Sequence, residues 1–369
     1  DAGTHPDQVR EAIWKFTGKP KHDSPEHEAA KRKDVEAWFG DQLKENRNIG
    51  ARQKELLKDV LVRFHGTFAQ SKFDAGLTDL VEFAVDTGDA KPIRQRPRPM
   101  NPHAKSLFGP VLEELIQNGI VSPCQGEWAS PIVPSKKPDG TYRFAVDYRA
   151  INAVTRHNAF PVSNPQEALA NNLLREAKLF ISADLAGAYH AVPVRQEDRE
   201  KLAMVSTLGL FQWNRMPFGP RNSAQVYAVL MDKVLGPLVK AGKVLSYFDD
   251  SLVTGRTFEE LIERFVLFLA AVERANLKIS PRKTKLCTTE ATWLGHTVSP
   301  TAISPAARLT KAIDEWPSPT DKTGVQVFLG KASYYRRFIH HFSHRAAPLR
   351  RLLTKDCPFK WDEKAEEAF

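Results

Sequence analysis

The sequence predicts an α+β protein of more than one domain, and three observations carry that expectation. At 369 residues the chain exceeds what one ordinary hydrophobic core organises. Short apolar runs bounded by turn residues are interspersed with longer stretches of helical period. After Pro300 the character shifts to helix-like segments rich in Arg, His and Tyr, which marks a domain boundary.

Bulk composition narrows the class. With 42% hydrophobic and 26% charged residues the chain is composed as a globular protein and not as a disordered one. Its formal net charge of +9 suits a polyanionic partner, nucleic acid first and an acidic membrane surface second. Cys124, Cys287 and Cys357 are an odd, scattered set, which gives neither a disulfide framework nor a zinc site and fits a reducing compartment. No window reaches the length of a membrane span, and the N-terminus lacks a signal-peptide pattern. The chain opens at Asp1 and closes inside the helix-like "DEKAEEAF", so it reads as a piece of something longer.

Taken in order, residues 1–75 are charged and mainly helical, with "RQKELLKDVLVRF" (52–64) the clearest amphipathic run and no chemistry evident. In "GDAKPIRQRPRPMNP" (88–102) prolines alternate with Arg94, Arg96 and Arg98, which forces an extended path: a linker, or a basic strap over a folded body. A helix over about 103–118 stops at Gly119. Two strands joined at Pro138-Asp139-Gly140 follow in 130–152. A buried strand in 179–194 runs out into a loop, and helices cover 222–239 and 258–277. A strand pair occupies 291–299, and no internal repeat is visible.

The hairpin "VLSYFDDSLV" (244–253) sets two adjacent carboxylates, Asp249 and Asp250, in an otherwise buried run. Like charges in such a place are costly unless a counter-charge arrives. A divalent cation is the natural one, because hard ions such as Mg2+ choose oxygen ligands and complete their shell from substrate phosphates. Asp184, at the end of the apolar strand "LFISAD", is the third carboxylate. Three such groups around two ions about 3.5–4 Å apart match the clamp used for in-line phosphoryl displacement.

The motifs "SADLAGAYH", "NRMPFGPRNSAQVY", "YFDD", "LKISPRKT" and "WLGHTVS" stand in the order and spacing of reverse transcriptase polymerase motifs. The chain most closely resembles gypsy-type LTR retrotransposons and their retroviral relatives over about 76–369. That resemblance implies a right-hand polymerase with fingers (76–156), a palm of antiparallel sheet plus helices (157–299, with a second fingers insertion near 192–222) and a helical thumb (300–369). A helical N-terminal extension (1–75) precedes them.

It also implies an RNA-directed and DNA-directed DNA polymerase that joins dNTPs to a primer 3′-hydroxyl with two Mg2+ ions, Mn2+ being the other ion such a site accepts. Asp184 and Asp249 would be the principal ligands, with Asp250 supporting. Tyr189 matches the steric gate that rejects a ribose 2′-hydroxyl. Lys136 and Arg143, on opposite arms of the fingers hairpin, would embrace the triphosphate. Phe218 would line the nucleotide pocket by packing, and Phe248 would meet the primer end or the incoming nucleotide. Lys283 is the best match for the group that protonates pyrophosphate, with Lys278 and Lys285 as competitors. Trp293, Leu294, Gly295 and His296 resemble the primer grip, where Gly295 would admit the primer phosphates. Asp147, Arg149 and Asn152 read as structural support.

In the thumb, "KASYYRRFIHHFSHR" at helical spacing puts Lys331, Tyr335 and Arg336 on one side for phosphate contacts, with Tyr334, Phe338 and Phe342 toward the buried side. His340 and His344 lack a further ligand for zinc. Departures from the family pattern at Ala191, Pro220, Ser223 and Ala224 bear on rate and nucleotide affinity, since they remove no metal ligand. No ribonuclease H carboxylate cluster follows Phe369, so the chain is expected to polymerise without degrading the RNA strand.

The partners implied are a primed RNA or DNA template and dNTPs. No membrane is involved, and a homodimer or contact with other Pol segments is left open. The expected location is cytoplasmic, within virus-like particles, with the nucleus as a second place. Two other readings remain: a catalytically silent relative that only binds nucleic acid, which the costly paired charges argue against, and a metal-dependent nuclease, which does not explain the fingers hairpin, Tyr189 or the thumb.

Overall fold

The computed structural model describes residues 24–136, 142–162, 164–171, 173–355 and 357–369, with the side chains of Lys136 and Arg143 outside that set. The expected turn at Pro138-Asp139-Gly140 lies outside the described residues. The chain divides into a first unit ending at Thr289 and a second, Glu290–Phe369.

At the centre of the first unit is a four-stranded antiparallel sheet in the order β7–β8–β4–β9. Its strands are β4 (Leu179–Asp184), β7 (Val244–Tyr247), β8 (Asp250–Gly255) and β9 (Lys285–Thr288). The register sets Ile181 opposite Val253 and Asp184 opposite Asp250, so the apolar run of each strand ends in a carboxylate at the same edge. Two helices cover this sheet, α4 (Ser223–Lys240) and α5 (Phe258–Arg274). In α5 the residues Phe258, Leu261, Ile262, Phe265, Phe268, Leu269 and Val272 recur at helical spacing and are all buried. Burying each such side chain contributes about 1.5–3 kcal/mol. The Thr257 hydroxyl accepts from Glu260 N and fixes where α5 begins.

A second sheet, ordered β1–β6–β5–β2–β3, is antiparallel except where β2 and β5 run parallel. It joins β1 (Val121–Pro123), β2 (Ser130–Lys136), β3 (Tyr142–Val146), β5 (Met204–Ser206) and β6 (Gly209–Trp213). Beside it lies α3 (Pro102–Gln117), started by Asn101 capping Ala104 N. The proline-rich stretch before α3 is a strap and not a free linker. Gln95 N donates to Ala129 O at 2.9 Å, Ala129 N donates to Ile93 O at 2.9 Å, and Arg98 is paired with Asp147.

Upstream, α1 (Pro25–Glu45) packs against α2 (Ala51–Arg63) and closes the open side of β9. Gln42 donates from Nε2 to Thr284 O at 3.0 Å and accepts at Oε1 from Leu286 N at 2.7 Å. Asn46 donates to Leu286 O at 2.9 Å and Asn48 to Cys287 O at 3.0 Å. These amides occupy the donors and acceptors that an edge strand otherwise presents to other chains.

The second unit has a small antiparallel sheet of β10 (Ala291–Trp293), β11 (His296–Val298) and β12 (Ile303–Pro305). It continues through α6 (Ala307–Asp314), α7 (Lys322–Tyr334), α8 (Ala347–Leu352) and α9 (Glu363–Ala368), around a core of Val325, Phe328, Leu329, Leu349 and Leu352. The helical spacing expected across 331–345 does not hold. α7 stops at Tyr334, a 3-10 turn spans Arg336–Phe338, and His341 turns left-handed at φ 51°. Tertiary contacts override propensity here: the Tyr334 and Tyr335 hydroxyls are drawn to the β10–β11 turn, donating to Leu294 O at 2.8 Å and Gly295 O at 3.1 Å.

Candidate active site

Asp184 and Asp250 end paired positions on adjacent antiparallel strands, so their side chains rise from the same face. Asp249 belongs to the two-residue turn between β7 and β8, where Tyr247 pairs with Asp250. Phe248 holds φ 51° while Asp249 does not take a positive φ, as in a II′-type hairpin. A bulky residue in that left-handed region is strained, and such strain persists only where the surroundings enforce it. The Asp249 carbonyl accepts from Leu185 N at 2.9 Å, which ties the turn to the end of β4.

Burial raises the Asp184 carboxyl above its ordinary range; the Lys283 ammonium pulls the other way and the Asp249 charge adds to the rise. Lys283 Nζ lies 2.9 Å from Asp184 Oδ2. Its loop is pinned by the Ser280 N to Asp184 O and Ala186 N to Lys278 O bonds, both 2.8 Å. Of the competing lysines, Lys278 is turned onto the carbonyl of Gly66, and Lys285 is exposed on β9.

Beyond Asp184 the chain reverses at Gly187, with φ 62°, where an added Cβ would come within 2.5 Å of Ala75 Cβ. That reversal places Tyr189 against Phe218, the rings stacked with centroids 4.7 Å apart. The row continues to Tyr227 at 5.3 Å and from Tyr227 to Phe248 at 6.4 Å. Phe218 is 53% exposed, whereas Phe248 is half-buried against Tyr227 and Tyr247. Asn152 holds the Phe218 loop at both ends, donating to Gly219 O at 2.9 Å and accepting from Arg221 N at 2.7 Å. Asp147 receives a two-pronged contact from Arg149 at 2.8 and 2.7 Å. Lys136 pairs with Tyr142 and Ser135 with Arg143 in the β2–β3 ladder, so Lys136 and Arg143 stand near its outer end.

In the second unit, Trp293 and His296 are fully buried. They are the paired residues that hold the Leu294-Gly295 turn, whose φ values of 48° and 71° make it I′-like. Gly295 is required by that φ, and a Cβ there would sit 3.0 Å from Tyr335 Oη. Its carbonyl accepts from Tyr335 Oη and from Ala306 N at 3.0 Å. The glycine is thus explained by close packing. Tyr335 is buried and not on a solvent face, Phe338 is exposed and not buried, and Phe342 is partly buried against the unit's core. Lys331 lies over the Trp316 ring at 4.1 Å, and Arg336 is exposed.

Among the described residues, no three His, Cys, Asp or Glu side chains close into a ready-made cage. Mg2+ does not require one, since one or two carboxylates plus substrate phosphates serve it. Hard oxygen donors gathered at one sheet edge fit an ion that completes its shell from a nucleotide.

Two sequence features yielded less than the structure. Tyr227 drew no notice, although a tyrosine on the buried face of a helix signals a hydroxyl that needs a partner. Gln42, Asn46 and Asn48 carried no signal, because side-chain bonds to a distant strand leave no local pattern.

Residues 135–298 match the family model described as reverse transcriptase (RNA-dependent DNA polymerase). The chain carries a domain of that family, which consists of nucleotidyltransferase enzymes that generally use divalent metal ions. Retrovirus-related Pol polyproteins from transposons are among the proteins it is similar to. It is 30% identical over 333 residues to the Pol polyprotein of transposon opus from Drosophila melanogaster, covering 86% of this chain and 33% of that protein. To the gypsy polyprotein of the same organism it is 28% identical over 334 residues, covering 86% and 32%. The chain thus spans about a third of the length of the curated relatives it matches. Among solved structures, the foamy viral protease-reverse transcriptase in complex with an RNA/DNA hybrid aligns with a TM-score of 0.79 at 23% identity, over 90% of this chain and 45% of that one. The foamy viral protease-reverse transcriptase dRH in complex with dsDNA gives 0.79 at 24%, over 90% and 58%. The fold is the right-hand polymerase fold of reverse transcriptases.

Proposed function

We propose that this chain is an RNA-directed and DNA-directed DNA polymerase that transfers nucleotides from dNTPs to the 3′-hydroxyl of a primer. The observation that carries the reading is the Asp184–Asp250 pairing beside the strained Phe248-Asp249 turn, with the Tyr189–Phe218 wall adjoining it. Asp184 and Asp249, supported by Asp250, are the residues to hold Mg2+, which when bound supplies hydroxyl activation and neutralisation of the leaving charge.

The primer 3′-hydroxyl loses its proton to solvent water and its oxygen forms a bond to the α-phosphorus as the bond from that phosphorus to pyrophosphate breaks. Lys283 gives a proton from Nζ to the leaving pyrophosphate oxygen. The Tyr189 ring excludes a 2′-hydroxyl, and Phe218 packs on the sugar. Lys136 and Arg143 counter the triphosphate charge from the two arms of β2 and β3. In the second unit, the Leu294-Gly295 turn and the exposed Lys331 and Arg336 contact the primer–template. A primed RNA or DNA template suits this reading, since the foamy viral enzyme of like fold is described with both an RNA/DNA hybrid and dsDNA.

The test offers a primed RNA template, dNTPs and Mg2+. Extension supports the polymerase, shortening a nuclease, and binding alone a silent relative. Asp249→Asn is expected to abolish extension and to leave duplex binding largely intact; equal extension by that variant overturns the assignment.

A further inference from the structure

Tyr227 sits in α4 with 1% of its surface exposed, and its ring bridges Tyr189 and Phe248. Its Oη is buried with no hydrogen-bond partner among the described residues. Phenylalanine would fill the same space without that uncompensated oxygen, so the hydroxyl is a local cost that packing does not explain. Burial, followed by the Asp249 charge, then Tyr189 and Asp184, pushes the phenol well above its ordinary range, so it remains a protonated donor. Of the two carboxylates in that field, Asp184 is already engaged by Lys283 at 2.9 Å. Asp249 lies on the turn whose strained residue, Phe248, stacks on the Tyr227 ring.

We propose that Tyr227 is a positioning residue whose hydroxyl donates to the Asp249 carboxylate in the nucleotide-loaded site. The inference rests on the polymerase reading above and deepens it. The ring couples the Tyr189 wall to the turn, and a shift of that strained turn brings the two oxygens together. A donor behind a ligating carboxylate orients it, and losing such a donor costs about 10–100-fold in metal affinity or activity.

Tyr227→Phe removes one oxygen and keeps the ring, so the test compares it with the full wild-type chain. In EDTA the variant is expected to melt at the same temperature as wild type or higher. The Mg2+ midpoint for the thermal shift in the presence of primer–template and dNTP is expected to rise roughly tenfold. Single-nucleotide incorporation is expected to fall about as much, with its own Mg2+ midpoint displaced in the same direction. Unchanged Mg2+ midpoints overturn the proposal, and so does a lower melting temperature in EDTA, which would mean that the hydroxyl already has a structural partner. Should wild type fail to extend any primer, the polymerase reading fails, while the thermal midpoints still decide the place of Tyr227.

Discussion

Lys283 reaches Asp184 across 99 positions of sequence, with Nζ 2.9 Å from Oδ2. The contact sets an exposed cation against the carboxylate that burial disfavours, so Lys283 serves as its counter-charge in the chain, and in the proposed reaction it turns to the leaving phosphate. Lys283→Met is expected to lower single-turnover incorporation by roughly 10²-fold or more, the scale of a lost general acid. Lys278→Met and Lys285→Met, whose side chains lie elsewhere, are expected to stay within about twofold, inside the scatter of surface substitutions. Equal losses in all three would remove Lys283 from the chemistry.

Tyr189 and Phe218 stack at 4.7 Å and form one face of the proposed nucleotide wall. Tyr189→Ala opens that face, and ribonucleotide incorporation relative to deoxynucleotide is expected to rise about tenfold or more, the worth of one lost steric contact. Competition between rCTP and dCTP on a primed template reads the ratio directly. An unchanged ratio would place the selection elsewhere.

Asp147 tests the electrostatics of the strap. Its carboxyl is held at about 2 by the Arg149 guanidinium and backbone N–H, with Arg98 adding its charge. The folded value is below the unfolded one of about 3.9, so the stabilisation is complete above that value and is lost as pH falls toward 2. Asp147→Asn is expected to cost about 1 kcal/mol at pH 7, after allowing for solvent screening of the exposed guanidinium groups. The wild-type advantage in urea midpoint should vanish between about pH 4 and 2. A constant difference across that window would show that the contact is not ionic in origin.

Gln42 and Asn46 close β9 from the N-terminal helices. Replacing both by Ala is expected to destabilise the chain by about 1 kcal/mol per lost bond. Light scattering during partial denaturation should also rise, because β9 then presents open donors and acceptors. A variant as stable and as monodisperse as wild type would reduce these amides to surface decoration.

Much of this was legible in the sequence because the signals were local. The apolar run ending in Asp184, the "YFDD" hairpin and the proline-dense strap each state their own conformation. The helix expected over about 103–118 forms at Pro102–Gln117, between a capping Asn101 and Gly119. What failed was the thumb, where helical spacing was carried past Tyr334 into a run that tertiary bonds to Leu294 and Gly295 break. The inward facing of Trp293 and His296 was not legible either: a motif names a hairpin but does not say which of its residues face inward. The partnerless hydroxyl of Tyr227 was invisible for a related reason, since a missing bond depends on everything around it.

The row of rings from Phe218 through Tyr189 and Tyr227 to Phe248 joins segments that are far apart in the chain. One end meets the sugar of the incoming nucleotide in the proposed reaction, and the other bears the turn with Asp249. On that proposal, sugar choice and metal-ion preference draw on one shared set of side chains. Variants selected for accepting altered sugars should emerge with altered ion requirements, and selection on the ion should disturb the sugar.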